Sequence, residues 1–233
     1  VVASRLLAMV SPTHDMLPRF ATGEAIASIA LQPATDSATK LVPAGAIADA
    51  VISFNGEGIA IEAGSEAVSH VRNTADLPLA ERKGSHGDLI ASGDDARKAF
   101  NRARSEWQAL MAVALTGLGR KAVDIGVTYA KERYQFGVLI GSFQSLQHGF
   151  ASSITDVEGS HYLSNRAVSA LEDNDESGER MAAMAFLFAS GAATNAAATS
   201  LQYHGGYGFA EEYDIQLYYR RSKGWPLQIG DPG

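Results

Sequence analysis

The segment Arg133-Tyr134-Gln135-Phe136-Gly137 separates two long stretches of helical spacing, and it decides how the chain folds. After it, the spacing predicts helices over about residues 143–172, 179–203 and 211–223. Before it, apolar residues recur at intervals of three and four up to residue 133, which is typical of one helix face: Leu110, Met111, Ala114, Leu115, Leu118, Ala122 and Ile125. The second half of the chain is therefore predicted to be a bundle of four antiparallel helices.

The first part of the chain has a different character. Its clearest signal is a hairpin, in which the apolar runs 50–54 and 59–61 flank Asn55-Gly56, because both turn residues tolerate a positive φ. Residues 24–31 are predicted to form a second strand, and residues 65–94 are expected to be irregular. A helix is predicted within residues 1–20, followed by a loop at Ser11-Pro12-Thr13. The fold class is α+β, divided into a helical segment at 1–23, a small β domain at 24–91 and the bundle at 92–233.

Composition excludes several classes of function. The 233 residues are 46% apolar and carry a formal net charge of −7, with no basic run. Nucleic acid is therefore an unlikely partner, since binding to phosphates needs a basic surface. The absence of cysteine excludes disulfides, thiolate zinc sites and thiol catalysis.

No membrane span or secretory signal is expected. The most apolar stretch, residues 181–201, is rich in alanine and contains hydroxyl and amide side chains, which favours a packed bundle helix. The apolar start of the chain is short and contains Arg5. A cytoplasmic location is the resulting expectation.

Two generic motifs are weak. Glu158 and His161 have the spacing of a di-iron ligand pair, but such a site needs a second pair and two more carboxylates, so no metal is predicted. Gly117-Leu118-Gly119 lies within a predicted helix, and we interpret its glycines as sites of close helix contact rather than as a dinucleotide turn.

A second specific segment is Gln202-Tyr203-His204-Gly205-Gly206-Tyr207-Gly208-Phe209. Its glycines would let backbone N–H groups approach a ligand closely. Arg133 would sit at a helix–loop–helix corner, a suitable place to hold a phosphate. From the residues alone, the alternative remains that Arg133 is a solvated helix-end cation and that the glycines only end a helix.

Together these two segments, in order, spacing and helical context, resemble the C-terminal half of the acyl-CoA dehydrogenase family over about residues 92–230. Residues 17–24 and 32–33 resemble the entry into the family's middle β domain. The resemblance implies an acyl-CoA dehydrogenase-like fold in which the β domain is shortened and the N-terminal helical domain is largely missing, with residues 1–23 as its remnant.

The resemblance implies FAD as the cofactor and oxidation of an acyl-CoA thioester to the trans-2-enoyl-CoA. In the family a glutamate removes the α-proton, and the β-hydrogen leaves as hydride to the flavin. Each FAD lies across a subunit interface, with its ADP end against the neighbour's bundle. The positions here that match the ADP side are Arg133 at the pyrophosphate, Phe136 beside the adenosine, and Gln144, Leu146, Gln202, Gly205 and Gly206.

The flavin and substrate side departs from the family pattern. The usual catalytic glutamate corresponds to Ile229, which cannot accept a proton. The family's alternative base position falls at about Trp107, and the adjacent Glu106 points about 100° away on a helix. Leu41 and Pro43 stand for the Trp and Thr beside the flavin, and the loop 31–35 differs as well. No catalytic residue is therefore assigned, with Glu106 as the fallback.

The resulting hypothesis is a non-catalytic subunit of a heteromeric α2β2 acyl-CoA dehydrogenase. It resembles the paired actinobacterial enzymes of steroid side-chain degradation. A homologous partner would supply the glutamate and most of the acyl-CoA site, and an electron-transfer flavoprotein would accept the electrons. The alternatives are a self-sufficient homotetrameric dehydrogenase that uses Glu106 or Glu211, and a flavin-free assembly scaffold.

Overall fold

The computed structural model describes residues 1–32, 39–64, 68, 70–82 and 87–230. Contacts between Cα atoms divide the chain into two compact units. Unit 1 comprises residues 1–107 and 227–233, and unit 2 comprises residues 108–226. The division falls within one long helix, and the predicted domain boundaries at 23 and 91 stay a prediction.

Unit 1 contains a four-stranded sheet whose centre is the predicted hairpin. Strands β3 (Ala50–Phe54) and β4 (Gly58–Ala63) pair antiparallel. The Asn55 side-chain Oδ1 accepts hydrogen bonds from the N–H groups of Glu57 and Gly58, which fixes the turn. Strand β1 (Ala27–Ile29) pairs parallel with β3, and is shorter than the predicted strand at 24–31. The hairpin is confirmed.

The expectation that residues 65–94 are irregular is wrong in part. Strand β6 (Asp88–Ser92) pairs antiparallel with β4 and completes the sheet in the order β1-β3-β4-β6. Strand β5 (Ala80–Arg82) pairs antiparallel with β2 (Thr39–Val42) in a second, two-stranded sheet. Strand β6 lies at the sheet edge, and its residues show little alternation of burial. Its hydrogen-bonded pairing with β4, rather than an alternation of apolar and polar residues in its sequence, therefore defines it as a strand.

A buried arginine ties the two sheets of unit 1 together. The side chain of Arg82 is 2% exposed and lies 3.2 Å from Oε1 of Glu62 on β4. It also donates hydrogen bonds to the backbone carbonyls of Gly45, Ala48 and Gly64. These partners compensate the cost of removing the charge from water.

The start of the chain packs on this sheet. Helix α1 (Val2–Val10) ends before the predicted break at Ser11-Pro12-Thr13, and α2 (Met16–Thr22) follows. The buried residues of α1 join a core cluster with the sheet and with Phe100 of helix α3 (Gly93–Glu132).

Unit 2 is the predicted bundle. Its helices are the second part of α3, α4 (Gln144–Glu172), α5 (Gly178–Tyr203) and α6 (Ile215–Gly224). Helix α6 begins four residues later than predicted, because a short 3-10 helix (Gly205–Phe209) and a turn precede it. Successive helices run antiparallel, because residues early in one helix lie beside residues late in the next. The α3–α4 pairs are Thr116–Ser160 and Gly126–Phe150, and the α4–α5 pairs are Leu171–Gly178 and Gly149–Tyr203. Between α5 and α6, Thr194 contacts Ser222, and Leu201 shares a core cluster with Ile215. The predicted α+β fold class is therefore confirmed in its strands and its four antiparallel helices.

Helix α5 packs through very small side chains. Seven of its alanines are buried: Ala182, Ala185, Ala189, Ala192, Ala193, Ala196 and Ala197. The helix is long and apolar enough to cross a membrane, and half of its most apolar window is buried in the protein. Close packing against neighbouring helices accounts for this composition.

The two glycines of α3 have different environments. A Cβ atom on Gly119 would lie 3.0 Å from Cγ2 of Val157 and 3.1 Å from Cα of Ala193, so this glycine permits close helix contact as predicted. A Cβ on Gly117 would meet no atom within 4 Å, so the same prediction for Gly117 is wrong. Gly117 faces away from the bundle.

The substitutions Gly117→Ala and Gly119→Ala form a matched pair. At 119 the added methyl group meets backbone of α5, and we expect the free energy of unfolding to fall by about 1–3 kcal/mol. At 117 alanine should raise it by about 0.5–1 kcal/mol, since glycine is unfavourable within a helix. Urea denaturation, followed by the fluorescence of Trp225 in a Trp107→Phe background, measures both; equal effects would contradict this packing.

Candidate functional site

Unit 2 contains a cavity of about 540 Å³ where α3 and α5 end. Helix α3 leads into a hairpin of two short strands, β7 (Tyr134–Gln135) and β8 (Val138–Leu139). Helix α5 leads into the 3-10 helix at 205–209. The cavity is lined by residues from all of these elements: Tyr129, Arg133, Gln135, Ile140, Gln202, Tyr203, His204, Gly205, Gly206 and Tyr207. The structure thus brings together four predicted cofactor-binding residues, Arg133, Gln202, Gly205 and Gly206.

The backbone around Arg133 is well fixed. Its N–H donates to the carbonyl of Tyr129 at 2.9 Å, and its carbonyl accepts from the N–H of Ile140 at 2.9 Å. The half-buried side chain forms no ion pair with any residue that the structure describes. Instead, its guanidinium carbon lies 5.1 Å from the centre of the Tyr207 ring. The cavity therefore carries an arginine charge that no carboxylate in the described part of the chain neutralises.

The glycine pair leaves part of the cavity wall open. Gly205 has a φ of +62°, a conformation that favours glycine. Cβ atoms added to Gly205 or Gly206 would meet nothing within 4 Å, so the backbone is accessible to a ligand. An accessible backbone and a free guanidinium are the groups that bind a phosphate or diphosphate.

An aromatic cluster supports the cavity from within the bundle. The rings of Tyr129 and His204 stack with centres 4.1 Å apart. His204 is 3% exposed, and its Nδ1 lies 2.6 Å from the carbonyl oxygen of Ser200, so that nitrogen is assigned as the donor. Tyr213 packs edge-on against both rings.

Burial raises the pKa of the Tyr129 phenol above its ordinary value, although the nearby charge of Arg133 opposes the change. The phenol is therefore neutral at physiological pH. Sequence reasoning missed Tyr129 as a cavity residue, although its position four residues before Arg133 places it on the same face of α3.

The other predicted cofactor residues lie outside this cavity. Phe136 forms the hairpin tip with Gly137, at φ values of +54° and +79°, and is 92% exposed. Gln144 is exposed at the start of α4. Leu146 lines a separate notch of about 230 Å³ with Lys131 and Phe150 among others. Their roles stay predictions.

Each position considered for a catalytic base has its own surroundings in the structure. In unit 1, Ile229 and Trp107 pack against the core cluster that includes α1. Oε1 of Glu106 accepts hydrogen bonds from Arg5 at 3.3 Å and Arg102 at 3.4 Å. In unit 2, Glu211 is exposed in the turn before α6.

Two further positions lie in unit 1. Leu41 has a φ of +52°, and the carbonyl of Pro43 accepts a hydrogen bond from the Ser28 hydroxyl. Residues 33–35 of the loop at 31–35 lie outside the described residues. Within the described ranges, no group of three or more potential metal ligands occurs; Glu158 instead pairs with Arg120.

Residues 94–230 match the family model described as acyl-CoA dehydrogenase, C-terminal domain. The chain is 29% identical to the acyl-CoA dehydrogenase IpdE2 of Mycolicibacterium smegmatis over 218 residues, which covers 94% of the chain and 64% of that protein. It is 31% identical to the probable acyl-CoA dehydrogenase YngJ of Bacillus subtilis over 159 residues, covering 68% of the chain and 41% of that protein. The chain thus spans less than two thirds of the length of these relatives.

Solved structures share the fold. The Tcur3481–Tcur3483 steroid ACAD superposes with a TM-score of 0.85 at 21% identity, covering 99% of this chain and 71% of that one. The ChsE4–ChsE5 complex from Mycobacterium tuberculosis gives a TM-score of 0.82 at 21% identity, with 99% and 70% covered. Butyryl-CoA dehydrogenase from Megasphaera elsdenii gives 0.83 at 18% identity, with 99% and 72% covered.

Proposed function

Because the chain belongs to the acyl-CoA dehydrogenase family, we propose that it is the non-catalytic subunit of a heteromeric, FAD-dependent member. In this proposal an α2β2 assembly desaturates the α,β bond of a CoA thioester, and a homologous partner supplies the catalytic glutamate. This chain contributes the contacts to the ADP end of FAD. The observation that carries the proposal is the un-neutralised Arg133 in a glycine-walled cavity. The family resemblance adds that Ile229, which packs against the core cluster of unit 1, corresponds to the usual glutamate.

The cavity has the chemistry that the ADP end of FAD requires. Arg133 offers a planar fork of N–H donors that suits two phosphate oxygens. The amide of Gln202 and the open backbone at Gly205 and Gly206 add neutral contacts in the same cavity. Bound FAD would supply the hydride acceptor for the oxidation. The role of this chain is to bind and orient that cofactor.

Unit 1 offers no free base at the positions considered. Ile229 has no group that can take a proton, and its side chain packs with Trp107 against the core cluster. The Glu106 carboxylate is already held by two guanidinium groups, from Arg5 and Arg102. This argues against a self-sufficient enzyme that uses Glu106.

The comparisons support the choice of partner and substrate class. The ChsE4–ChsE5 structure is a complex of two different chains, and the Tcur3481–Tcur3483 structure is a steroid ACAD. We therefore propose a homologous acyl-CoA dehydrogenase as the partner and a bulky CoA thioester, of the steroid side-chain class, as the substrate. A relative named as a subunit of a caffeyl-CoA reductase–Etf complex supports an electron-transfer flavoprotein as the acceptor. A cytoplasmic location is part of the same proposal.

Flavin stoichiometry tests the proposal directly. We expect no FAD in this chain purified alone, and one FAD per pair of chains after co-expression with the partner dehydrogenase, measured by absorbance at the flavin band and by protein mass. One FAD per chain in the isolated protein would show a complete site and favour the homotetrameric alternative. An active complex whose flavin has no contact with this chain would favour the scaffold.

Arg133→Ala tests the ADP-side contact. Loss of a charge-assisted contact costs about 1.5–3 kcal/mol, so we expect the complex to hold FAD about tenfold to hundredfold more weakly. The control is Arg180→Ala, which removes an exposed arginine from the start of α5 and should leave FAD affinity unchanged. Unchanged FAD content in the Arg133 variant would contradict the proposed function.

Glu106→Gln tests the fallback base. Since the carboxylate serves two ion pairs, we expect turnover of the complex to stay within about twofold, with a small loss of stability of about 1 kcal/mol. Steady-state kinetics and thermal unfolding separate these effects. A loss of turnover by several orders of magnitude would make Glu106 the base.

A further inference from the structure

Tyr207 lies against Arg133, the arginine that lines the cavity. We propose that Tyr207 is a positioning residue, whose ring holds the Arg133 guanidinium in the orientation that binds a diphosphate. The inference rests on the proposed function of the cavity, because it concerns how that site takes up the ADP end of FAD. It extends the site from the binding arginine to the neutral group that orients it.

The contact is a cation–π interaction. The guanidinium carbon of Arg133 is 5.1 Å from the centre of the Tyr207 ring, within the range in which a ring face attracts a cation. A long arginine side chain has many conformations, and confining it costs rotamer entropy. Because the ring confines the guanidinium before a ligand arrives, less of that entropy is lost on binding.

A neutral partner suits this task better than a carboxylate. An ion pair would also confine Arg133, but it would compete with the phosphates for the same N–H donors and cancel the charge. The structure shows no such ion pair within the described ranges. The Tyr207 face holds the cation and leaves its charge available to an anion.

Tyr207 is itself held in place. Its ring lies 5.5 Å from that of Tyr213, which packs edge-on against Tyr129 at 6.2 Å and His204 at 6.0 Å. The stacked pair Tyr129–His204 joins α3 to the end of α5. The packed rings of Tyr207, Tyr213, Tyr129 and His204 therefore connect the Arg133 guanidinium to the helices of the bundle.

The test is a double-mutant cycle on FAD affinity in the complex. The variants are Tyr207→Leu, which removes the ring, Tyr207→Phe, which keeps the ring face, Arg133→Ala, and the double variant Tyr207→Leu/Arg133→Ala. We expect Tyr207→Leu to weaken FAD binding about threefold to tenfold, in line with a partly exposed cation–π contact, and Tyr207→Phe to retain most of the affinity. In the Arg133→Ala background, Tyr207→Leu should have no further effect.

The control variant is Phe209→Leu, which removes another exposed ring from the same 3-10 helix without touching the cluster. Thermal unfolding of each variant reports damage to the fold. A second readout needs no cofactor: in the chain alone, the Arg133 Nε–Hε NMR signal should lose its ring-current shift and its order in Tyr207→Leu but not in Phe209→Leu.

The outcomes distinguish the two proposals. If Arg133→Ala weakens FAD binding but Tyr207→Leu does not, or if the two effects simply add, the positioning role is wrong and the proposed function stands. An unchanged Arg133 NMR signal in Tyr207→Leu also overturns the positioning role. If Arg133→Ala leaves FAD binding unchanged, the proposed function fails, and the positioning role fails with it.

Discussion

The register between α3 and α5 is the constraint on which the site in unit 2 depends. Contacts at three levels along these two helices join residues whose numbers differ by 74 or 75, so the helices run in the same direction and end at the same level. The pairs are Gly119–Ala193, Gly126–Ser200 and Tyr129–His204. Small side chains at these positions let the backbones approach closely. A bulky residue here would have to separate the helices or shift their register.

The same register determines where the side chains of the candidate site lie. Arg133 and Tyr207 also differ by 74 in residue number, and their contact continues the series beyond the end of α5. The arginine and the glycine pair thereby meet at one cavity although more than 70 residues of chain separate them. What distinguishes this cavity electrostatically is that a ring face, rather than an acid, adjoins the cation. Such a site attracts anions without having to release an internal ion pair first.

Glu106, which was considered as a base, illustrates the opposite arrangement, because its charge is paired with arginines of the same unit. Glu106 in unit 1 is paired with two arginines and tethers α1 to α3, which is a structural use of a carboxylate. Ile229 extends the apolar core of the same unit. An apolar residue at this position is stabilised by packing, whereas a glutamate there would lose hydration. Ile229 and Trp107 thus pack against the core of this unit at the positions where the family resemblance leads one to expect proton transfer.

The sequence by itself determined the local elements. Apolar spacing predicted the helices of the bundle, Asn55-Gly56 predicted the hairpin, and the residues around Arg133 and Gly205 predicted a phosphate-binding corner. Only the tertiary structure decided which of Gly117 and Gly119 lies at a helix contact, that residues 88–92 form a strand, and that Tyr129, His204 and Tyr207 line the same cavity as Arg133. The physical reason is that local periodicity fixes which face of an element is buried, but not which residue of a distant element it meets. That choice depends on register, which is set by the summed packing of both helices.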